Sequence, residues 1–406
     1  DTPVTQKWLP EFQLRAVVPS QLSQPANGRS SPGPVPPRTS PPLPLQENKQ
    51  GSLHPPHPPP PPLGTLPTMF HYRTEGFNGY SVKYSPFYDN RLATAASANF
   101  GLVGNGRLYI LSLTPSGILC ERYYDTQDSL FDVAFSESHE NQVAVASGDG
   151  SIKLFDTALD GGFPIANWGE HKREVFCLSW NLVDKSGFVS SSWDGDVKLW
   201  TPTSPHSLLT IPIHSCTYSA LFSPHSSTLI STASSDSTVR LFDIRAPPSS
   251  PTLSIPVSPR APSELLTQDW NKYRPDVLAV AGVDKAIRTF DLRFPNKGPL
   301  SELFGHEYAV RKVAWSPHWG DVLISASYDM TVRVWSDGSS NATDPGAGGI
   351  GWLPAGRGRM MGVMDRHTEF CAGVDWCLFG AEGWAASVGW DEAVWVWDVG
   401  NVIGSR

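Results

Sequence analysis

This chain of 406 residues repeats one ten-residue phrase seven times at nearly constant spacing, and no other feature constrains its fold as much. The phrase is a tight turn with Asp, then alternating apolar residues that close on an aromatic. It reads SGDGSIKLFD at 147–156, SWDGDVKLWT at 192–201, SSDSTVRLFD at 234–243 and GVDKAIRTFD at 282–291. Two more copies are SYDMTVRVWS at 327–336 and GWDEAVWVWD at 389–398, and a degenerate first copy is VGNGRLYILS at 103–112. The closing residues Leu111, Phe155, Trp200, Phe242, Phe290, Trp335 and Trp397 lie 44, 45, 42, 48, 45 and 62 residues apart. A unit this short cannot bury its own apolar face, so neighbouring copies must stack.

The period is that of WD-repeat propeller blades. Upstream of each phrase run two further alternating segments, for example 175–180 (VFCLSW) and 187–191 (GFVSS). Alternation at period two in runs of about five residues reads as antiparallel strands joined by turns. The fold class expected is therefore all-β, a seven-bladed WD-repeat β-propeller. Some 22 to 24 residues before several turn Asp residues stands a His: His171 with Asp194, His214 with Asp236, His306 with Asp329 and His367 with Asp391. A buried carboxylate needs partners, and a His, a strand Ser and the indole N–H of Trp200, Trp335 or Trp397 form a closed set tying one blade together. These residues are structural, not catalytic. Ala261 at the His position of blade five, and Phe155, Phe242 and Phe290 in place of Trp, mark degenerate blades.

A ring needs its ends to share one blade, otherwise two sheet edges stay free. Residues 69–74 (MFHYRT) alternate like a strand and belong to no first-blade copy, so they are expected as the outermost strand of blade seven, beside Trp397. Residues 69–400 then form the propeller, with the long spacing explained by a Gly-rich surface loop at 337–365. The Asn-Ala-Thr sequon at 341–343 reads as chance. Of the 38 prolines, 19 precede residue 69, and only Trp8 and Phe12 are aromatic there. Such a segment cannot offset its ordering entropy by burial, so 1–68 is expected to be disordered with polyproline II stretches. It reads as sequence upstream of the true start at Met69 or a dispensable extension; the competing reading is a regulatory tail whose PxxP-like runs bind aromatic grooves.

Composition narrows the function. A net charge of −8 argues against a dedicated nucleic-acid binder. The 5 cysteines form no CxxC pair, which indicates neither a disulfide framework nor a structural zinc site. No apolar run approaches the ~18 residues of a membrane span and no signal-peptide core opens the chain, so a reducing, soluble compartment and no direct membrane insertion are expected. No GxSxG, HExxH, Walker or Rossmann pattern occurs. Gly101 to Gly106 suggests a phosphate loop only superficially, because it lies between two strands and opens no helix. No enzyme, metal or cofactor is expected.

Binding remains. The loops before each first strand and the turns carrying Asp share one face around the channel. The candidates there are Glu75, Phe77, Asp128, Glu174, Glu264, Glu307, Tyr308, Glu369 and Phe370 before the first strands, and Trp193, Tyr328 and Trp390 just before the turn Asp residues. Large aromatics outside the strand alternation, mixed with carboxylates, suit a peptide with one apolar face and basic residues.

Residues 77–87 (FNGYSVKYSPF), 99–107 (NFGLVGNGR), 128–133 (DSLFDV) and 269–273 (DWNKY) resemble the peroxin-seven family of WD-repeat import receptors across essentially the whole propeller. The Pro-rich head and the Gly-rich insertion depart from that family. The resemblance implies a cytosolic receptor that binds the amphipathic helical type 2 peroxisomal targeting signal, with its basic residue and later His or Gln. It also implies a co-receptor peroxin, docking peroxins at the peroxisomal membrane, and shuttling between cytoplasm and peroxisome. In that reading Asp128 and Glu174 pair with the basic residue while Trp193, Tyr328 and Trp390 cover the apolar side. The competing reading is a general WD-repeat scaffold subunit of a chromatin or ubiquitin-ligase assembly.

Overall fold

In the computed structural model, residues 69–101, 104–258, 260–339 and 358–403 are described. The segment 1–68, expected to be disordered, lies outside them. The described residues form seven four-stranded sheets, each an antiparallel meander in chain order except one. The six regular blades span 78–126, 130–168, 175–212, 217–256, 265–303 and 310–364. Blade seven combines Cys371–Trp376, Trp384–Gly389 and Ala393–Asp398 with Met69–Arg73, which pairs antiparallel in the register Met69↔Trp397 to Arg73↔Ala393. The closure expected from the sequence is thus present, and Phe70 is packed with Val394 and Val396.

The core is distributed between sheets instead of gathered in one place. Seven apolar clusters fill the seven gaps between neighbouring blades, including the gap from blade seven back to blade one, where Val388, Val394 and Val396 meet Val82, Leu92 and Leu111. Closing aromatics take these gaps: Phe155, Trp200, Trp335 and Trp397 are at most 1 % exposed. Side chains on the innermost strands also bond across the gaps to neighbouring backbones. Asp132 accepts from Leu178 N at 2.9 Å, Asp269 from Trp315 N at 2.7 Å, and Asp375 from Tyr84 N at 2.9 Å. At Gly79 and Gly373 blades seven and one come so close that an added Cβ would sit 2.8 Å from Val388 and 2.9 Å from Ser81.

The His–Asp sets form in blades three, six and seven. In blade three His171 Nδ1 lies 2.9 Å from Asp194 and Nε2 2.7 Å from Ser190 Oγ, which also accepts from Trp200 Nε1 at 2.8 Å. His306, Asp329, Ser325 and Trp335 repeat this in blade six, as do His367, Asp391, Ser387 and Trp397 in blade seven. Burial works to raise the Asp194 carboxyl, but bonds from His171 and the Lys172 N–H outweigh it and hold the group at about 2.

The expected pair His214–Asp236 does not form. His214 is exposed with a left-handed φ of 63°, Thr232 stands where blades three, six and seven have Ser, and Phe242 has no indole N–H to give. Asp236 instead accepts from Ser234 Oγ at 2.8 Å and Arg240 at 2.5 Å. The same substitution of partners serves Asp284, which pairs with Arg288 at 2.5 Å, and Asp149, which pairs with Lys153 at 3.1 Å. A cation four residues after the turn Asp thus serves where the His is missing, and in blade six Arg333 joins His306 on Asp329 at 3.4 Å.

The segment 337–365 is narrower as a loop than expected. Arg359–Met364 forms the outer strand of blade six against Val332–Ser336, and Asp337 is fully buried on Arg274, 2.6 Å away. Glycine-rich surroundings hid the strand, although a fourth strand is what blade six required; residues 340–357 lie outside the described ones.

Candidate functional site: a ring of bulges and aromatic side chains

Each innermost strand slips register by one residue near its start, and the slipped residues are Tyr80, Phe131, Phe176, Tyr218, Leu266, Arg311 and Ala372 in blades one to seven. A bulge re-aims the extra side chain out of the pleat. All seven line one narrow throat, the mouth of the central channel. Above them, the residue before each turn Asp donates its N–H to the loop preceding the first strand. Trp193 N bonds Glu174 O at 3.1 Å, Val283 N bonds Glu264 O at 3.0 Å, Tyr328 N bonds Ala309 O at 3.0 Å and Trp390 N bonds Phe370 O at 2.9 Å. Gly148 and Ser235 make the equivalent bonds to Ser129 and Cys216. The two sets of sequence candidates therefore do share one face.

On that face the aromatics form a continuous belt. Phe176 is stacked between Phe131, with centroids 4.7 Å apart, and Trp193, at 4.6 Å. Phe131 meets Tyr80 at 5.1 Å, Tyr80 meets Trp390 at 5.6 Å, and Trp390 meets Phe370 at 5.2 Å. Tyr328 stacks on Phe370 at 4.9 Å. Phe100, 46 % exposed, leans on Trp390 from a left-handed turn fixed by Asn78, whose Oδ1 accepts from Phe100 N and whose Nδ2 donates to Trp390 O. Trp193, Tyr328 and Trp390 thus belong to one surface, half-buried and braced by neighbours.

The other candidates fall in different places. Asp128 is half-buried at the rim beside Gly148 and Phe131, accepting from Ser129 N at 2.7 Å. Glu264 accepts from Tyr218 Oη at 2.8 Å. Glu174 lies 3.4 Å from Arg173, whose guanidinium rests 5.3 Å from the Trp193 ring. Glu75 and Glu369 are exposed, and neither they nor Asp128 and Glu264 have an ion-pair partner among the described residues. Tyr308 is 57 % exposed beneath Lys285, apart from the belt's ring contacts. Phe77 does not join the belt either; it packs edge-on to Tyr109 under Arg107, between blades seven and one. Its place in the pre-strand loop suggested the rim, but the ring turns back into the gap between sheets.

Sequence reading missed Tyr80, Phe131, Phe176 and Tyr218, because strand alternation absorbed all four as ordinary core positions. The available signal was recurrence: an aromatic at the second or third residue of the first strand in four successive blades.

The WD domain, G-beta repeat family model matches residues 162–201, 206–243 and 297–336. The peroxisomal targeting signal 2 receptor of Saccharomyces cerevisiae is 42 % identical, covering 81 % of this chain and 99 % of that protein. The peroxisome biogenesis protein 7 of Arabidopsis thaliana is 42 % identical over 80 % of this chain and 96 % of its own length. The chain belongs to the peroxisomal targeting signal 2 receptor family. The human peroxisomal targeting signal 2 receptor is 37 % identical over 74 % of this chain and 87 % of its own length. No helix among the described residues is long and apolar enough to cross a membrane.

Proposed function

We propose that this protein is an import receptor that binds the N-terminal type 2 peroxisomal targeting signal of matrix proteins in the cytosol and, with a co-receptor peroxin, delivers them to docking peroxins at the peroxisomal membrane. The observation that carries this reading is the belt from Tyr328 through Trp390, Tyr80 and Phe131 to Trp193, flanked by carboxylates with no cation of their own. An amphipathic helix lays its apolar side on such rings and offers its basic residue to Asp128, Glu264, Glu75 or Glu369. Charge-assisted contacts of that kind contribute ~1.5–3 kcal/mol each when desolvated. The protein acts by binding alone, with no catalytic step and no cofactor, and it shuttles between cytoplasm and peroxisome.

The test is a titration of the full chain with a signal peptide and two variants, one lacking the basic residue and one lacking the later His or Gln. Discrimination by about tenfold or more against each variant is expected. Equal affinity for all three would favour a general WD-repeat scaffold. Replacing Trp193, Tyr328 and Trp390 together by Ala should abolish capture of a signal-bearing cargo; undiminished capture would remove this face from the reaction.

A further inference from the structure

Arg311 is the only cation among the seven bulge residues, and it is 7 % exposed. It arises on blade six, yet its guanidinium lies 5.8 Å from the Phe176 ring on blade three, so it reaches across the channel mouth. Half-buried arginines elsewhere sit on carboxylates, as Arg274 does on Asp337 and Arg288 on Asp284. Arg311 has no hydrogen bond and no ion pair among the described residues. The acids near the throat are engaged in other ways: Asp132 accepts from Ser81 Oγ at 2.6 Å and Leu178 N, and Glu264 accepts from Tyr218 Oη. Contact with an aromatic face at this distance is near the limit of a cation–π interaction and does not offset the loss of most of a guanidinium's water. A buried charge persists where a partner arrives to pair with it.

We infer that Arg311 is an anion subsite at the centre of the rim, filled by a carboxylate side chain of the bound polypeptide. This rests on the proposed receptor function and extends it. The rim then reads charge in two zones, with acids outside for basic side chains and Arg311, beside Lys312 in the lining of the throat, for an acidic one. A planar guanidinium suits a carboxylate in a way an ammonium does not, because it offers two parallel N–H donors.

The test uses the full chain and a fluorescent amphipathic helical peptide with a basic residue near its start, a later His, and Gln at all other polar positions. Single Gln→Glu replacements are scanned along it. One position should tighten binding by about tenfold. That gain should vanish in Arg311→Met and survive in part in Arg311→Lys, with circular dichroism confirming that each variant is folded. A Gln parent that fails to bind the unaltered chain would fell the receptor reading and this inference together. A parent that binds, with no Glu position preferred or with the preference intact in Arg311→Met, would fell the carboxylate assignment alone. Thermal stabilisation by sodium acetate that disappears in Arg311→Met, with no peptide preference, would assign the subsite to a free small anion and overturn the peptide source.

Discussion

Ser325 Oγ serves two partners at once, accepting from Trp335 Nε1 at 2.8 Å and lying 2.7 Å from His306 Nε2, and the whole set is closed to water. Ser325→Ala strands both ring nitrogens and should cost about 1–3 kcal/mol in a urea titration. Thr232→Ala, the equivalent change in blade four, should cost less than about 1 kcal/mol because Thr232 Oγ1 makes only one long bond, 3.5 Å to Arg240 O. The same sets dictate how stability responds to acid. Burial lowers the His306 pKa, so the unfolded chain takes up its proton first and stability falls as pH drops below about 6.5. Asp194, held at about 2, contributes stability that is fully present above the ordinary carboxylate range and is lost as pH falls toward 2. A thermal midpoint flat from pH 8 to 7 that declines below, in two stages, is expected; a midpoint rising on acidification would contradict these directions. The residue after the turn Asp is left-handed in six blades, but only Gly150 and Gly195 suit it; Ser237, Lys285, Met330 and Glu392 are strained there. Lys285→Gly should therefore raise stability by about 0.5–1 kcal/mol.

At the scale of elements, most of the architecture was legible because each blade states its own strands: period-two alternation, a turn with Asp, and a closing aromatic. The joining of Met69–Arg73 to Ala393–Asp398 was legible too, since a lone alternating run before the first blade has one edge left to fill. What escaped were elements whose signal is geometric. The outer strand Arg359–Met364 was masked by glycines before it, and the bulges that aim Tyr80, Phe131, Phe176 and Tyr218 leave no mark on alternation. His214 misled for the opposite reason, since it holds the right position in the repeat while its neighbours supply nothing for it to join, and Phe77 turns from the rim to Tyr109 and Arg107. A chain beginning at Met69 should unfold like the full one, whereas a chain beginning at Thr74 would uncover Val394, Val396 and Trp397, all fully buried here. That loss is on the order of 5 kcal/mol, read as a lowered denaturation midpoint; an unchanged midpoint would show that the seventh sheet stands without its outer strand.

At the scale of the molecule, a rim with acids outside an aromatic belt favours encounter with basic ligands before any close contact forms. Asp128→Asn with Glu369→Gln should slow association with a basic signal peptide several-fold at low salt, with little change near 0.5 M, where the screening length is about 4 Å. Stopped-flow rates against ionic strength decide this; a salt slope unaltered by the double change would place the attraction elsewhere. The candidate site was legible in outline, because register puts Trp193, Tyr328 and Trp390 on a common face, but its centre was not. Arg311 looks in the sequence like any alternating strand residue, and only the slipped register carries it to the axis.

Pairing of Met69–Arg73 with Ala393–Asp398 also orders events during synthesis. The earliest of the described strands to leave the ribosome must wait for the latest, and until then the growing protein presents an open edge at each end of an incomplete circle. Folding to the closed form is thus deferred until Ala393–Asp398 has emerged, so nascent chains depend on protection from one another until then.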